Sequence, residues 1–93
     1  MAQPIELNTS ISSGEEEILA ISSPKVTVYA EGDFNGGKIE VHVTPNRNPN
    51  TGTYFKVLEI TEKGAHVIAL AARFIKVVSV TTGTVNINIL TYD

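Results

Sequence analysis

Alternation of apolar and polar residues with a period of two is the main pattern in this chain. A strand that buries one face and exposes the other gives this pattern. It is clearest near the end, where Val85, Ile87 and Ile89 alternate with Asn86 and Asn88. Further stretches that alternate, or that form short apolar runs, are 5–11, 16–21, 26–30, 38–43, 54–58, 67–70 and 74–81.

Turn residues separate these stretches and favour antiparallel hairpins. Residues 33–37 contain an Asn-Gly pair, which accepts positive φ at both central positions of a tight turn, and 62–64 and 82–83 end other stretches with glycine. Residues 74–81 are rich in β-branched residues on both faces, which predicts a central strand covered on two sides. The one helical candidate, 68–74, is disfavoured by its β-branched neighbours. The sequence predicts an all-β fold, a small antiparallel β-sandwich or jelly-roll-like barrel of about seven to eight strands.

The length of 93 residues fits one compact unit, so residues 1–93 are predicted to form a single β-sandwich domain. Residues 1–11 are a candidate N-terminal arm or edge strand. A domain this small buries only about 60–65% of the surface that its unfolded chain exposes, which leaves a narrow stability margin. The chain has no cysteine and therefore no disulfide, so we expect contacts with a partner subunit to add stability.

Charge and hydropathy narrow the range of partners. The net charge is −3 and the seven basic residues are dispersed. Nucleic-acid binding requires a basic patch that neutralises phosphates, so we expect no nucleic-acid partner. The longest apolar run, 67–72, is too short to span a membrane, and the first residues do not have the pattern of an export signal. We therefore expect the protein to be made in the cytoplasm and to have no membrane partner.

The residues that could carry chemistry are few. His42 and His66 are the only histidines, and neither has the spacing of a zinc site or the motif of a serine triad beside it. The acidic run 14–17 offers oxygen ligands for calcium but lacks EF-hand spacing, which favours a solvated turn. No acid, base and nucleophile are grouped in the sequence, so we predict no catalytic, metal or cofactor-binding residues and no enzymatic activity.

The polar loop 44–53 is longer than a hairpin needs. Long loops on rigid β scaffolds often bind partners, although a surface excursion also costs little entropy. Tyr29 and Tyr54 lie opposite the apolar rows of their strands (Phe55 and Val57 in the second), where they could stack on a sugar ring. The predicted interface residues are Ile5, Leu7, Asn46, Arg47, Asn48, Asn50 and Tyr54.

Several motifs follow one another in a characteristic order. Residues 32–37 read Gly-Asp-Phe-Asn-Gly-Gly and lead into an alternating strand; after the polar loop come 60–64, Ile-Thr-Glu-Lys-Gly, and a strand that bears Arg73. Over 26–90 this order resembles small β-sandwich virion proteins of tailed bacteriophages, namely head decoration (cement), head-fibre and tail accessory proteins. Their usual Gly-Gly-x-x-Trp stretch is replaced here by 50–54, which has no Trp.

The resemblance implies a virion structural protein without an enzymatic site. The function that the resemblance implies most directly is that of a capsid decoration or cement protein, which stabilises the head by binding between capsid subunits. A tail or neck accessory or fibre component is an alternative, and a stand-alone carbohydrate-binding β-sandwich module is a second one. The implied partners are the major capsid protein or other virion subunits, with the chain itself a homo-oligomer, trimer or dimer. Residues 1–11 could then add a strand to a neighbour's sheet edge.

Overall fold

A computed structural model of the protein describes residues 4–21 and 25–92, with the backbone alone for Pro4, Ile5 and Tyr92. This part of the chain contains eight strands and no helix, which confirms the all-β prediction. The strands are β1 Pro4–Ile11, β2 Glu16–Ala20, β3 Val26–Gly32, β4 Lys38–Thr44, β5 Phe55–Ile60, β6 Gly64–Ile68, β7 Phe74–Val80 and β8 Val85–Tyr92.

The strands form two four-stranded antiparallel sheets. Sheet I has the order β1-β8-β3-β6 and sheet II the order β2-β7-β4-β5. The pairs β1/β8, β2/β7, β3/β6 and β4/β5 are those of one long hairpin. That hairpin is rolled up, since β8 also pairs with β3 and β7 with β4. This arrangement is an eight-stranded jelly roll, which confirms the predicted fold class.

The connections between strands differ from the predicted hairpins. Among the described strands, β4 and β5 alone are consecutive in the chain and adjacent in one sheet; the other six connections cross between sheets. Asn35 and Gly36 do adopt positive φ, 45° and 76°, but the turn that contains them joins β3 of sheet I to β4 of sheet II. The turns at 62–64 and 82–83 likewise join strands of different sheets. The turn residues therefore determine where the chain reverses, but not which strands pair with each other.

The core lies between the two sheets and consists mainly of β-branched side chains. Period-two alternation places them correctly in β3, β4 and β8, where the inward row is buried and the outward row is not, apart from Thr44 at the end of β4. In β7, Ile75 and Val77 are buried, whereas Lys76 and Val78 on the other face are partly exposed. The prediction that this strand is covered on both faces is therefore wrong, because no described layer lies outside sheet II.

A β-bulge changes the inward row of β5. The register of β4 against β5 shifts beside Val41, which leaves Val57 as an extra residue. Leu58 and Ile60 consequently pack against the core, whereas Phe55 and Val57 are 56% and 39% exposed. The prediction that Phe55 and Val57 form the inward row of this strand is wrong: Val57 is the bulged residue, and Phe55 lies exposed on an edge strand although it pairs with the buried Val43.

Candidate functional site

The outer face of sheet II is covered by ion pairs between neighbouring strands. Glu59 accepts hydrogen bonds from Lys38 Nζ at 2.6 Å and from Lys56 Nζ at 2.8 Å. Glu40 lies beside them, with its Oε1 3.1 Å from His42 Nε2 and its Oε2 3.6 Å from Lys38 Nζ. The charged groups of this face are therefore partnered with one another, which favours a structural role for them.

This network shifts the pKa values of its members. The hydrogen bonds from Lys38 and Lys56 lower the pKa of Glu59 from 4.5 to about 2. The hydrogen bond with His42 is the main cause that lowers the pKa of Glu40, and the hydrogen bond with Glu59 is the main cause that raises the pKa of Lys38. In each pair, the partner favours the charged form of the group.

We expect the free energy of unfolding to fall as the pH drops from about 4.5 towards about 2. The folded pKa of Glu59 is depressed, so its contribution is present above the unfolded pKa and is lost as the pH falls through the folded one. Urea unfolding at a series of pH values measures this loss, which should be smaller in Glu59→Gln. The control is Glu62→Gln, which changes an exposed glutamate without an ion pair among the described residues. An acid loss in Glu59→Gln as steep as in the wild type would contradict the expectation.

The 44–53 loop joins β4 to β5 and is held by hydrogen bonds from its own backbone to its own side chains. The N–H of Asn46 donates to Thr44 Oγ1 at 3.2 Å, that of Asn48 to Asn46 Oδ1 at 2.8 Å, and that of Asn50 to Asn48 Oδ1 at 2.9 Å. Such Asx turns order a loop without strand pairing. Asn46 and Asn48, two predicted interface residues, thus use their side chains to shape the loop, while Arg47 and Asn50 are exposed on it.

Tyr54 anchors the end of this loop to sheet II. Its hydroxyl donates to the Pro49 carbonyl at 3.0 Å, and Lys76 Nζ lies 4.1 Å from the centroid of its ring. Burial raises the pKa of this hydroxyl, and Glu16 adds to the effect. The ring therefore packs against its own protein, a cation–π contact included.

The predicted interface residues do not form one surface. Leu7 lies on β1 of sheet I and packs against the core, whereas the 44–53 loop joins two strands of sheet II. The side chain of Ile5 lies outside the described residues. β1 pairs with β8 of the same chain from Pro4 to Ile11 and occupies an edge of sheet I.

The outer face of sheet I contains an open depression of about 440 Å³. The strand register places Asn8, Asn88 and Tyr29 side by side in one row, and Asn86 beside Glu31 in the next. The floor is the backbone of β3 and β8, because the side chains of the residues between the two rows point into the core. Lys63 lies at the end nearest β6.

The polar groups of this depression are largely unpartnered. Within the described part of the chain, the Tyr29 hydroxyl, the Asn8 amide, the Glu31 carboxylate and the Lys63 ammonium make no hydrogen bond or ion pair. Asn88 is oriented by a 3.0 Å hydrogen bond from its Nδ2 to an oxygen of Glu6. This face therefore offers donors and acceptors to a ligand, in contrast to the outer face of sheet II.

The four sheet edges also differ from one another. β1 begins with proline and carries a glutamate, β2 carries two glutamates, and β5 has the bulge and two charged residues. Such features keep a strand edge from pairing with another chain. β6 has no proline, bulge, carboxylate or ammonium group, so its backbone edge is unprotected.

An apolar strip continues from this edge. Val67 is 62% exposed and Leu70 is 45% exposed, and the alanines at 65, 69 and 71 are exposed beside them. We call these five residues of 65–71 the β6 strip. Contiguous exposed apolar side chains are typical of surfaces that a partner covers. The strip could not be predicted from the sequence, because an apolar run of this kind also fits a buried strand.

The other side chains that could take part in catalysis or metal binding are not grouped together in the described part of the chain. His42 contacts Glu40 on sheet II and His66 lies on β6 of sheet I, so the two histidines are apart. Among the residues with described positions, no three His, Cys, Asp or Glu side chains group as a metal site.

The described chain also contains no helix that is long and apolar enough to cross a membrane. Comparisons with known proteins found no matching family model and no similar curated protein.

Proposed function

We propose that this protein is a structural protein of the tailed-bacteriophage virion, of the capsid decoration type, that assembles as a homo-oligomer and binds between capsid subunits. The observation that carries the assembly proposal is the β6 strip with its unprotected strand edge. The choice of a virion structural protein rests on the resemblance of residues 26–90 to small β-sandwich virion proteins. The jelly roll agrees with it, since this fold occurs in viral capsid proteins as well as in lectins.

The edge of β6 is suited to adding a strand from another copy. It pairs with β3 on one side only, so its other side presents N–H and C=O groups that a second strand would satisfy. Val67 and Leu70 would lose contact with water in the same step, and full burial of such a side chain contributes about 1.5–3 kcal/mol. Binding that requires the folded state would also stabilise this small domain.

The variant Val67→Lys tests this edge. We expect the wild type to sediment as a dimer or trimer, and Val67→Lys to shift it towards monomer, because an ammonium group cannot be buried there without a partner. The matched control is Val57→Lys, which changes an exposed valine on the bulged edge strand β5 and should leave the oligomer intact. A monomeric wild type at every concentration, or equal loss in both variants, would contradict assembly through β6.

The location of the protein tests the virion role. Particles from cells that carry the gene are purified by density gradient, analysed by mass spectrometry and labelled with gold-conjugated antibody against the chain. We expect the protein in the particles and the gold over the head. Gold over the tail or neck would contradict the proposed decoration role and support a role as a tail or neck accessory component. Particles without the protein would overturn the virion proposal.

A further inference from the structure

We propose that the depression on the outer face of sheet I binds neutral oligosaccharides, with Tyr29 as the ring on which a sugar stacks. The inference rests on the side chains of that face alone. It is independent of the virion role, because a sugar site would serve a decoration protein and a stand-alone module equally.

Tyr29 has the position that a stacking ring requires. Its side chain is 45% exposed on β3, an inner strand of sheet I, so the ring stands over the sheet rather than at an edge. Its neighbours on either side are Asn88 and Ala65, and the alanine is too small to cover the ring. A pyranose ring has one face rich in C–H groups, which packs on an aromatic face while its hydroxyl groups stay free for hydrogen bonds.

The surrounding groups match the hydroxyl groups of a sugar. Each hydroxyl both donates and accepts hydrogen bonds, and the amides of Asn8 and Asn88 also offer a donor and an acceptor. Glu31 adds an acceptor and Lys63 a donor to the lining of the depression. The Glu6 carboxylate, hydrogen-bonded to Asn88, lies beside the depression, so two carboxylates are set against one ammonium group. This balance favours a neutral sugar over an anionic one.

The backbone beneath the depression argues against an extended peptide as the ligand. A peptide that adds to a sheet needs free backbone groups along a strand. β3 and β8 each pair with a strand on both sides, so recognition on this face must come from side chains. The depression has a volume within the range of small-ligand sites, about 300–1,000 Å³, which fits one or two sugar rings.

Titration of the ¹⁵N-labelled protein with cellohexaose, maltohexaose and chitohexaose tests the proposal. We expect at least one probe to shift the amide resonances of Tyr29 and its neighbours, and Tyr29→Ala to weaken that probe's affinity at least tenfold, about 1.4 kcal/mol. Tyr29→Phe should retain most of the affinity, since the ring remains. The control is Phe55→Ala, which removes an aromatic ring that is also exposed but lies on sheet II, and it should bind as the wild type does.

The same spectra distinguish the outcomes. Dispersed resonances show that each variant is folded, so a loss of affinity in Tyr29→Ala then reports the site. No shift with any of the three probes, together with no signal on an array of neutral glycans, would overturn the proposal. Shifts confined to the 44–53 loop, or binding to anionic glycans alone, would overturn it as well. Sugar binding that persists in Val67→Lys would show that the site does not depend on assembly through the β6 strip.

Discussion

Replacing Gly83 by alanine is expected to destabilise the protein by about 3 kcal/mol, a large effect for a single methyl group. A Cβ atom at Gly83 would clash with the carbonyl oxygen of Asp33 and lie 2.9 Å from Asp33 Cγ. These contacts are too short to be relieved by a side-chain rotation alone, because the closest atom belongs to the backbone. The chain around Asp33 would therefore have to move.

Hydrogen bonds oppose that movement. The N–H of Asp33 donates to the Thr84 carbonyl at 3.0 Å, the Thr81 hydroxyl donates to the Phe34 carbonyl, and the N–H of Gly83 donates to Thr81 Oγ1 at 3.1 Å. The first two bonds join the β3–β4 connection to the β7–β8 connection, and the third holds the β7–β8 connection itself. Since both connections cross between the sheets, moving one disturbs the end of both sheets.

Thermal or urea unfolding of Gly83→Ala measures the loss, and each kcal/mol should lower Tm by about 4–8 °C in a domain of this size. The control is Gly14→Ala. Gly14 has a positive φ of 79° but open space around its Cβ position, so its cost is backbone strain of about 1–2 kcal/mol. If Gly14→Ala were as destabilising as Gly83→Ala, the close approach at Gly83 would not be the cause.

The inward rows of β3, β4 and β8 could be predicted from the sequence, and the pairing of the strands could not. In β8, Val85, Ile87 and Ile89 are all buried as their alternation indicates, because alternation records which side chains face the core whatever strand lies alongside. The Asn35-Gly36 turn was predicted with the correct backbone signs, but its strands belong to different sheets. Pairing depends on residues far along the chain, which a local pattern does not contain.

Two local features also fall outside what alternation can predict. The bulge adds Val57 to β5 and leaves it 39% exposed, and Phe55 is exposed on this edge strand although it pairs with the buried Val43. The β6 strip has the composition of a buried strand, yet Val67 and Leu70 are exposed. Exposure at an edge depends on how many strands the sheet contains, and that number is a property of the whole fold.

The candidate sugar site could be predicted only in part. The alternation of β3 predicts that Tyr29 points away from the core, and the exposed ring confirms that orientation. Its proximity to Asn8 and Asn88 depends on the register of β1, β8 and β3. A shift of that register by one residue would turn these amides to the other face of the sheet, so no single stretch of sequence contains the site.

The variant Ile87→Ala should lose about 4 kcal/mol of unfolding free energy, the second large effect that the structure predicts. Ile87 is fully buried on β8, between β1 and β3, and hydrogen-bonded strands on both sides limit how far the cavity can collapse. Urea unfolding should be measured in the Val67→Lys background, because dissociation of an oligomer would otherwise add to the transition. Ile18→Ala, the same change at a side chain 37% exposed on edge strand β2, should cost less than about 1 kcal/mol. Equal losses in the two variants would mean that burial between the sheets is not what stabilises this jelly roll.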